Sequence, residues 1–138
     1  MKTVYPVIFT PTEDTYLIEV PDLDILTEGV DIENAIEMAR DAISVTIVSL
    51  EDNHQDIPKP SSIKDIDVSK GTFANEGKGF ISVVDIDTNM YRMMIDTKPV
   101  ERKISLPSWL DYQVSKSGID VSYLVQEALI NKLNIQHK

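Results

Sequence analysis

The 138-residue chain contains no cysteine. That excludes disulfides, thiolate nucleophiles and Cys-based zinc sites, and it suits a reducing compartment. Histidine is almost as scarce. His54 and His137 stand alone in polar surroundings, with no second ligand at zinc spacing and no nucleophile nearby, so both read as surface residues. Long apolar runs are missing too: the N-terminal residues turn polar too soon for a signal-peptide core, and no stretch approaches a membrane span. A cytoplasmic protein with no membrane partner is expected. Base is in short supply, with 13 Lys and Arg against 23 Asp and Glu and a net charge of −10, which argues against non-specific nucleic-acid binding. No motif asks for a metal or a cofactor, and there is no internal repeat. What is present is a hydrophobic fraction of 42%, enough for a packed core in one ordinary domain or two very small ones.

The charge is unevenly placed. Residues 1–98 carry 19 acids against 8 bases, whereas residues 99–138 carry 4 against 5. An acidic body followed by a near-neutral end suggests two working parts, 1–97 and 98–138. In the first, Val4-Tyr5-Pro6-Val7-Ile8-Phe9 predicts a strand, with Pro6 at an edge or strand start because it cannot donate to a ladder. Thr12 to Thr15 is a polar turn, Tyr16–Val20 the return strand, and Ile25-Leu26-Thr27 a third short strand. Asp31 caps a helix whose Ile32, Ala35, Ile36, Ala39, Ile43, Ile47 and Leu50 recur at helical spacing, with Glu37, Arg40 and Asp41 mostly on the other side. Pro58-Lys59-Pro60 is a rigid connector. Residues 64–79 give no clear signal, and Phe80–Ile86 is a strand.

The C-terminal part reads as strand, short helix, longer helix, after a linker at Thr97-Lys98-Pro99. Ile104 and Leu106 alternate with Lys103 and Ser105, Pro107 ends the strand, and Ser108 is placed as the next helix's cap with Asp111 three residues on. Trp109, Leu110 and Val114 form that helix's apolar side, and Gly118 closes it. Asp120 caps the second helix, whose Leu124, Val125, Ala128, Leu129 and Leu133 make a wide apolar stripe. About 40 residues with no cysteine can hardly bury such a stripe alone. A homodimer is therefore expected, with Ile104, Leu106 and the apolar residues of both helices as its contacts.

Lys103-Ile104-Ser105-Leu106-Pro107, followed by Trp109-Leu110, Gly118-Ile119, Ser122 and Gln126-Glu127-Ala128-Leu129, resembles the ribbon-helix-helix segment of HicB-type antitoxins. Tyr5 to Phe9, Pro21-Asp22-Leu23, Thr27-Glu28-Gly29, Ala39-Arg40-Asp41-Ala42 and Ile57-Pro58-Lys59-Pro60 resemble that family's N-terminal domain, in the family's order. Two departures stand out. A common form of the family has Gly at or near Asp24, and Arg102 falls on the face that alternation makes apolar.

The resemblance implies an α+β fold: an N-terminal antiparallel sheet with a packed helix, partial RNase H-like, and a C-terminal ribbon-helix-helix that dimerises. It implies a non-catalytic antitoxin that neutralises a small basic HicA-like mRNA-cleaving toxin and represses its own operator. Toxin contact is expected from Tyr5, Phe9, Glu19, Asp22, Asp24 and Glu28. On DNA, paired strands would enter the major groove with Glu101, Arg102, Lys103 and Ser105, while the Val121 and Ser122 amides would anchor a phosphate. Two other readings remain: a standalone ribbon-helix-helix regulator, and a residual metal-dependent nuclease built on Asp22, Glu33, Asp85 and Asp87. Those four acids read more readily as a solvated acidic face, and Tyr5, Phe9 and Tyr16 as hairpin packing.

Overall fold

A computed structural model describes residues 1–135, so His137 lies outside the described residues. The chain divides into two compact units, Met1–Arg92 and a second that starts at Met93.

The first unit is a four-stranded antiparallel sheet with a long helix on one face. The strands are β1 (Lys2–Pro11), β2 (Tyr16–Val20), β3 (Ile25–Gly29) and β4 (Phe80–Asp87), in the order β3-β2-β1-β4. Thr12 to Thr15 closes the first hairpin, the Thr12 amide donating to the Thr15 carbonyl at 2.8 Å. Helix α1 (Ile32–Asp52) follows β3. Asp31 caps it by accepting from the Asn34 amide at 2.8 Å, and the Asn34 side chain accepts from the Val30 amide at 2.9 Å. The first bond satisfies a donor that a helix start leaves without an intrahelical partner, and the second ties the residue before the cap to the first turn. The buried face of α1 (Ala35, Ala39, Ile43, Ile47) meets Tyr5, Val7, Phe9, Ile18, Val20, Val84 and Ile86. The helix start lies so close to the sheet that a Cβ on Gly29 would stand 2.6 Å from the Ala35 Cα. Only glycine fits there.

Residues Tyr5 to Thr10 are buried without alternation. Helix α1 covers one face of β1, and residues 66–79 cross the other, where Val68, Gly71 and Gly79 pack around Ile8 and Thr10. A short 3-10 turn, Ile63–Asp65, leads into that crossing, and a second, Val68–Lys70, lies within it. Covered on both faces, β1 reads as a continuous apolar run.

Pro6 is a correction to the expected edge or strand start. It lies inside β1, opposite Val83. The ladder tolerates it for a geometric reason. Arg40 donates to the Asp85 carbonyl from outside the β1–β4 pairing. Val4–Asp85, and by alternation Pro6–Val83, are therefore pairs that exchange no hydrogen bonds. Pairing with β2 starts only at Ile8, so no neighbour needs the amide that Pro6 lacks.

Helix α2 (Thr88–Ile95) follows β4 directly and was not foreseen. Asp87 starts it, its carboxylate accepting from the Asn89 and Met90 amides at 3.0 and 3.3 Å. Residues 96–107 form no regular structure.

The second unit holds α3 (Ser108–Ser117) and α4 (Val121–Lys132). Gly118 ends α3 in the left-handed region at φ 70°, as a helix-terminating glycine does. Asp120 caps α4 by accepting from the Tyr123 amide at 3.2 Å. Two expectations change here. Ser108 is the first helical residue and Pro107 the cap, with no side-chain cap hydrogen bond. The expected strand at 103–106 is absent from the single chain. A strand is a ladder, and this segment has no second strand to pair with.

Candidate functional site

Two groups of acids on the first unit bear on partner binding. Glu19 and Asp22 are occupied. Glu19 accepts from the Thr72 amide and hydroxyl, both at 2.8 Å, and Asp22 accepts from the Ser61 amide at 2.8 Å and from the Ser61 hydroxyl. These two carboxylates pin the segment between α1 and β4 to the sheet. Beside them the Tyr5 hydroxyl donates to the Pro58 carbonyl, and burial, then the Asp22 charge, raises its pKa above the ordinary tyrosine value. Glu13, Asp14, Asp24, Glu28, Glu33 and Glu37 form the second group. They are exposed, and their carboxylates have no hydrogen bond or ion pair among the described residues.

The six expected toxin contacts are thus not equivalent. Tyr5 and Phe9 are 0% and 1% exposed; they are core residues with no surface to offer a partner docked on this unit, which corrects their placement as contacts. Their apolar side chains belong to the α1-facing side of β1, as hairpin packing required. Glu19 and Asp22 are half-buried clamps. Asp24 and Glu28 remain, on and beside the outer strand β3, interleaved with the exposed Leu26 and Val30. Asp24 adopts φ 53°, ψ 40°. This left-handed conformation is the one glycine takes most easily, which is the physical reason a glycine is at home there.

The acids once considered for a metal site do not converge. Asp22 holds Ser61, Asp85 pairs with Arg40 at 2.8 Å, Asp87 starts α2, and Glu33 sits in the first turn of α1. Among the described residues no group of three or more metal-ligating side chains is gathered. Beside β4 lies an open depression lined by Lys2, Thr3, Val4, Asp85, Ile86, Asp87 and Met90.

The second unit has a different character. No residue of α3 or α4 is buried. Trp109 is 69% exposed, Leu133 65% and Leu129 52%. Ile104, Leu106, Leu124 and Ala128 are exposed as well, while Leu110, Val114 and Val125 are half-buried. Burying a side chain of this size is worth roughly 1.5–3 kcal/mol, so this surface is unfinished. Glu101, Arg102, Lys103 and Ser105 are all exposed in the irregular segment before α3. At the start of α4 the Tyr123 amide is taken by Asp120, which leaves Val121 and Ser122 as the first-turn donors with no capping partner.

Sequence reasoning missed the Arg40–Asp85 pair, the clamps at Glu19 and Asp22, and α2. Asp87-Thr88 ahead of a Met-rich stretch was the available sign of α2. The clamps join residues 39 and 53 positions apart and leave no local signal.

The fold and these surfaces define a binding protein: an acidic α+β unit followed by a two-helix unit with an unburied apolar face. Residues 5–129 match the family described as HicB_like antitoxin of bacterial toxin-antitoxin system. The chain belongs to that family, and is the antitoxin of a toxin–antitoxin pair. No curated protein matches it. Among solved structures, it is similar to a toxin–antitoxin complex from Streptococcus pneumoniae (24% identity, 96% of this chain and 99% of that one, TM-score 0.61). It is also similar to the Burkholderia pseudomallei antitoxin HicB (22% identity, 98% and 99%, TM-score 0.51). A HicA3 and HicB3 complex matches over 62% of this chain and 99% of that one, at 23% identity and TM-score 0.50. These likenesses bear out the α+β architecture with C-terminal helices. Among the described residues no helix is long and apolar enough to cross a membrane.

Proposed function

We propose that this antitoxin neutralises a small basic HicA-like toxin through residues 1–97 and represses its own operator as a dimer through residues 98–138, both in the cytoplasm. The observation that carries the second half is the absence of any buried residue in α3 and α4. A second copy covers their apolar face, and its segment at 103–106 supplies the missing strand, turning two irregular segments into one antiparallel ribbon. In such a ribbon Ile104 and Leu106 turn inward with Trp109, Leu110, Val114, Leu124, Val125, Ala128, Leu129 and Leu133. Glu101, Lys103 and Ser105 turn toward the major groove, and the Val121 and Ser122 amides face a phosphate. Arg102 packs its stem inward and sends its guanidinium to the backbone.

The first half rests on charge. The toxin surface is assigned to Asp24 and Glu28 with the exposed Leu26 and Val30, an apolar strip edged by carboxylates that suits a basic partner. Glu19 and Asp22 support it from behind by holding the crossing segment in place.

The test is a gel-shift titration with the chain's own upstream DNA. Lys103→Ala is expected to weaken operator binding about tenfold, the loss of one base contact worth ~1–3 kcal/mol, while the dimer mass stays the same. Unchanged affinity would remove Lys103 from the groove.

A further inference from the structure

The sheet of the first unit has two outer strands, and β4 has what an invading strand needs: eight residues, no proline and a half-exposed apolar character at Phe80 and Val83. Long, regular, apolar edges are templates for pairing with another chain.

One side chain crosses this edge. Arg40 sits on α1, and α1 packs on the face that Val84 and Ile86 share. Asp85, between them in a strand, points to the opposite face, level with Val4. To reach the Asp85 carboxylate the guanidinium must pass around the open side of β4. On the way its Nε donates to the Asp85 carbonyl at 3.0 Å, and its second nitrogen donates to Oδ1 at 2.8 Å. The Asp85 carbonyl therefore faces away from β1. By the two-residue period, the amides and carbonyls of Ile81 and Val83 face the same open side. In the strand order β4 pairs with β1 alone, so no strand lies on that side among the described residues.

We propose that the β4 edge is a pairing surface for the β4 of a second copy of this chain, and that Arg40 holds it shut. The occupant follows from geometry. A two-fold axis perpendicular to the sheet must pair outward-facing residues with outward-facing residues, and centring it on Val83 gives the pairs Ile81–Asp85, Val83–Val83 and Asp85–Ile81. On the core face Phe80 then meets Ile86, and Ser82 meets Val84, so apolar contacts repeat across the join. Each Ile81–Asp85 pair requires the Asp85 carbonyl, and Arg40 occupies it in both copies. Only the central Val83 pair is left, too little to hold two sheets together. The guard matters more if, as proposed above, the chain dimerises through its C-terminal unit, because tethering raises the effective concentration of a second edge.

The experiment measures the mass of the full chain by sedimentation velocity over a range of concentrations. Arg40→Ala puts a good helix former at an exposed site of α1. It is expected to add a concentration-dependent species of twice the parent assembly's mass. Asp85→Asn keeps the backbone bond but loses the charge, and gives a smaller shift in the same direction. Val83→Lys places like charges opposite each other on the axis. Added to Arg40→Ala, it is expected to restore the parent mass; alone, it leaves the mass unchanged. Parent-like masses for both Arg40→Ala and Asp85→Asn overturn the proposal. So does association of Arg40→Ala that persists with Val83→Lys, because the joining surface is then not β4.

Discussion

Leu129→Glu is expected to dissociate the dimer and abolish operator retention in a gel shift while leaving the first unit folded. In the single chain Leu129 is 52% exposed, and a glutamate there costs little in isolation. In the proposed dimer the same position lies in an apolar seam. An uncompensated buried carboxylate costs about 3–5 kcal/mol, which lowers dimer affinity by more than about 100-fold. Two monomers cannot form a ribbon, so groove contact is lost with the dimer. Sedimentation should give a monomer mass, and far-ultraviolet circular dichroism should keep the signal of the sheet and α1. A dimer that survives with its operator affinity unchanged would remove α4 from the interface.

Phe9→Ala is expected to be the most damaging change in the first unit. Phe9 is 1% exposed and stacks on Phe80 with ring centroids 5.7 Å apart. Truncating a buried phenylalanine costs ~3–5 kcal/mol through lost transfer energy and the cavity left behind. Domains are only marginally stable, so this is a large share of the total. Denaturant unfolding followed by tyrosine fluorescence should show the loss. Toxin protection should fail in the variant in parallel with the loss of folded protein. Full stability with selective loss of toxin binding would return Phe9 to the contact surface and contradict its place in the core.

The fold was legible where chemistry is local. Asp31 and Asp120 announce their helices because a carboxylate beside free amides is a short-range event. The spacing of Ala35, Ala39, Ile43 and Ile47 shows a buried face because a helix repeats every 3.6 residues. Thr12 to Thr15 and Gly118 mark their turns for similar reasons. The rest depended on partners distant in sequence. Pro6 suggested an edge because a missing donor is visible in the sequence, whereas the register that makes it harmless is not. Glu19 and Asp22 looked like free surface acids; the residues that occupy them, Thr72 and Ser61, belong to a segment with no periodic signal. Tyr5 and Phe9 sit in an apolar run buried on both faces, so alternation could not say which way they point. The strand at 103–106 was readable as an alternating pattern, but a single chain has nothing to pair it with.

The wider division of labour follows from charge and burial together. Most of the acids, 19 of 23, lie within residues 1–98, and the unburied apolar face lies in the second unit. On the proposed reading a basic toxin is drawn to the acidic surface, and a second copy covers the apolar one. The role proposed for Arg40 is to keep the folded unit from joining its sheet to a neighbour's.

The most direct measurement is co-expression of the full chain with whichever protein the adjacent reading frame encodes, expected to be small and basic, scoring growth rescue and co-purification. The expected result is that the neighbour alone stops growth, that this chain restores growth and co-purifies with it, and that Asp24→Lys with Glu28→Lys weakens both effects while leaving the chain folded. A neighbour that neither poisons cells nor binds this chain would contradict the toxin-neutralising role.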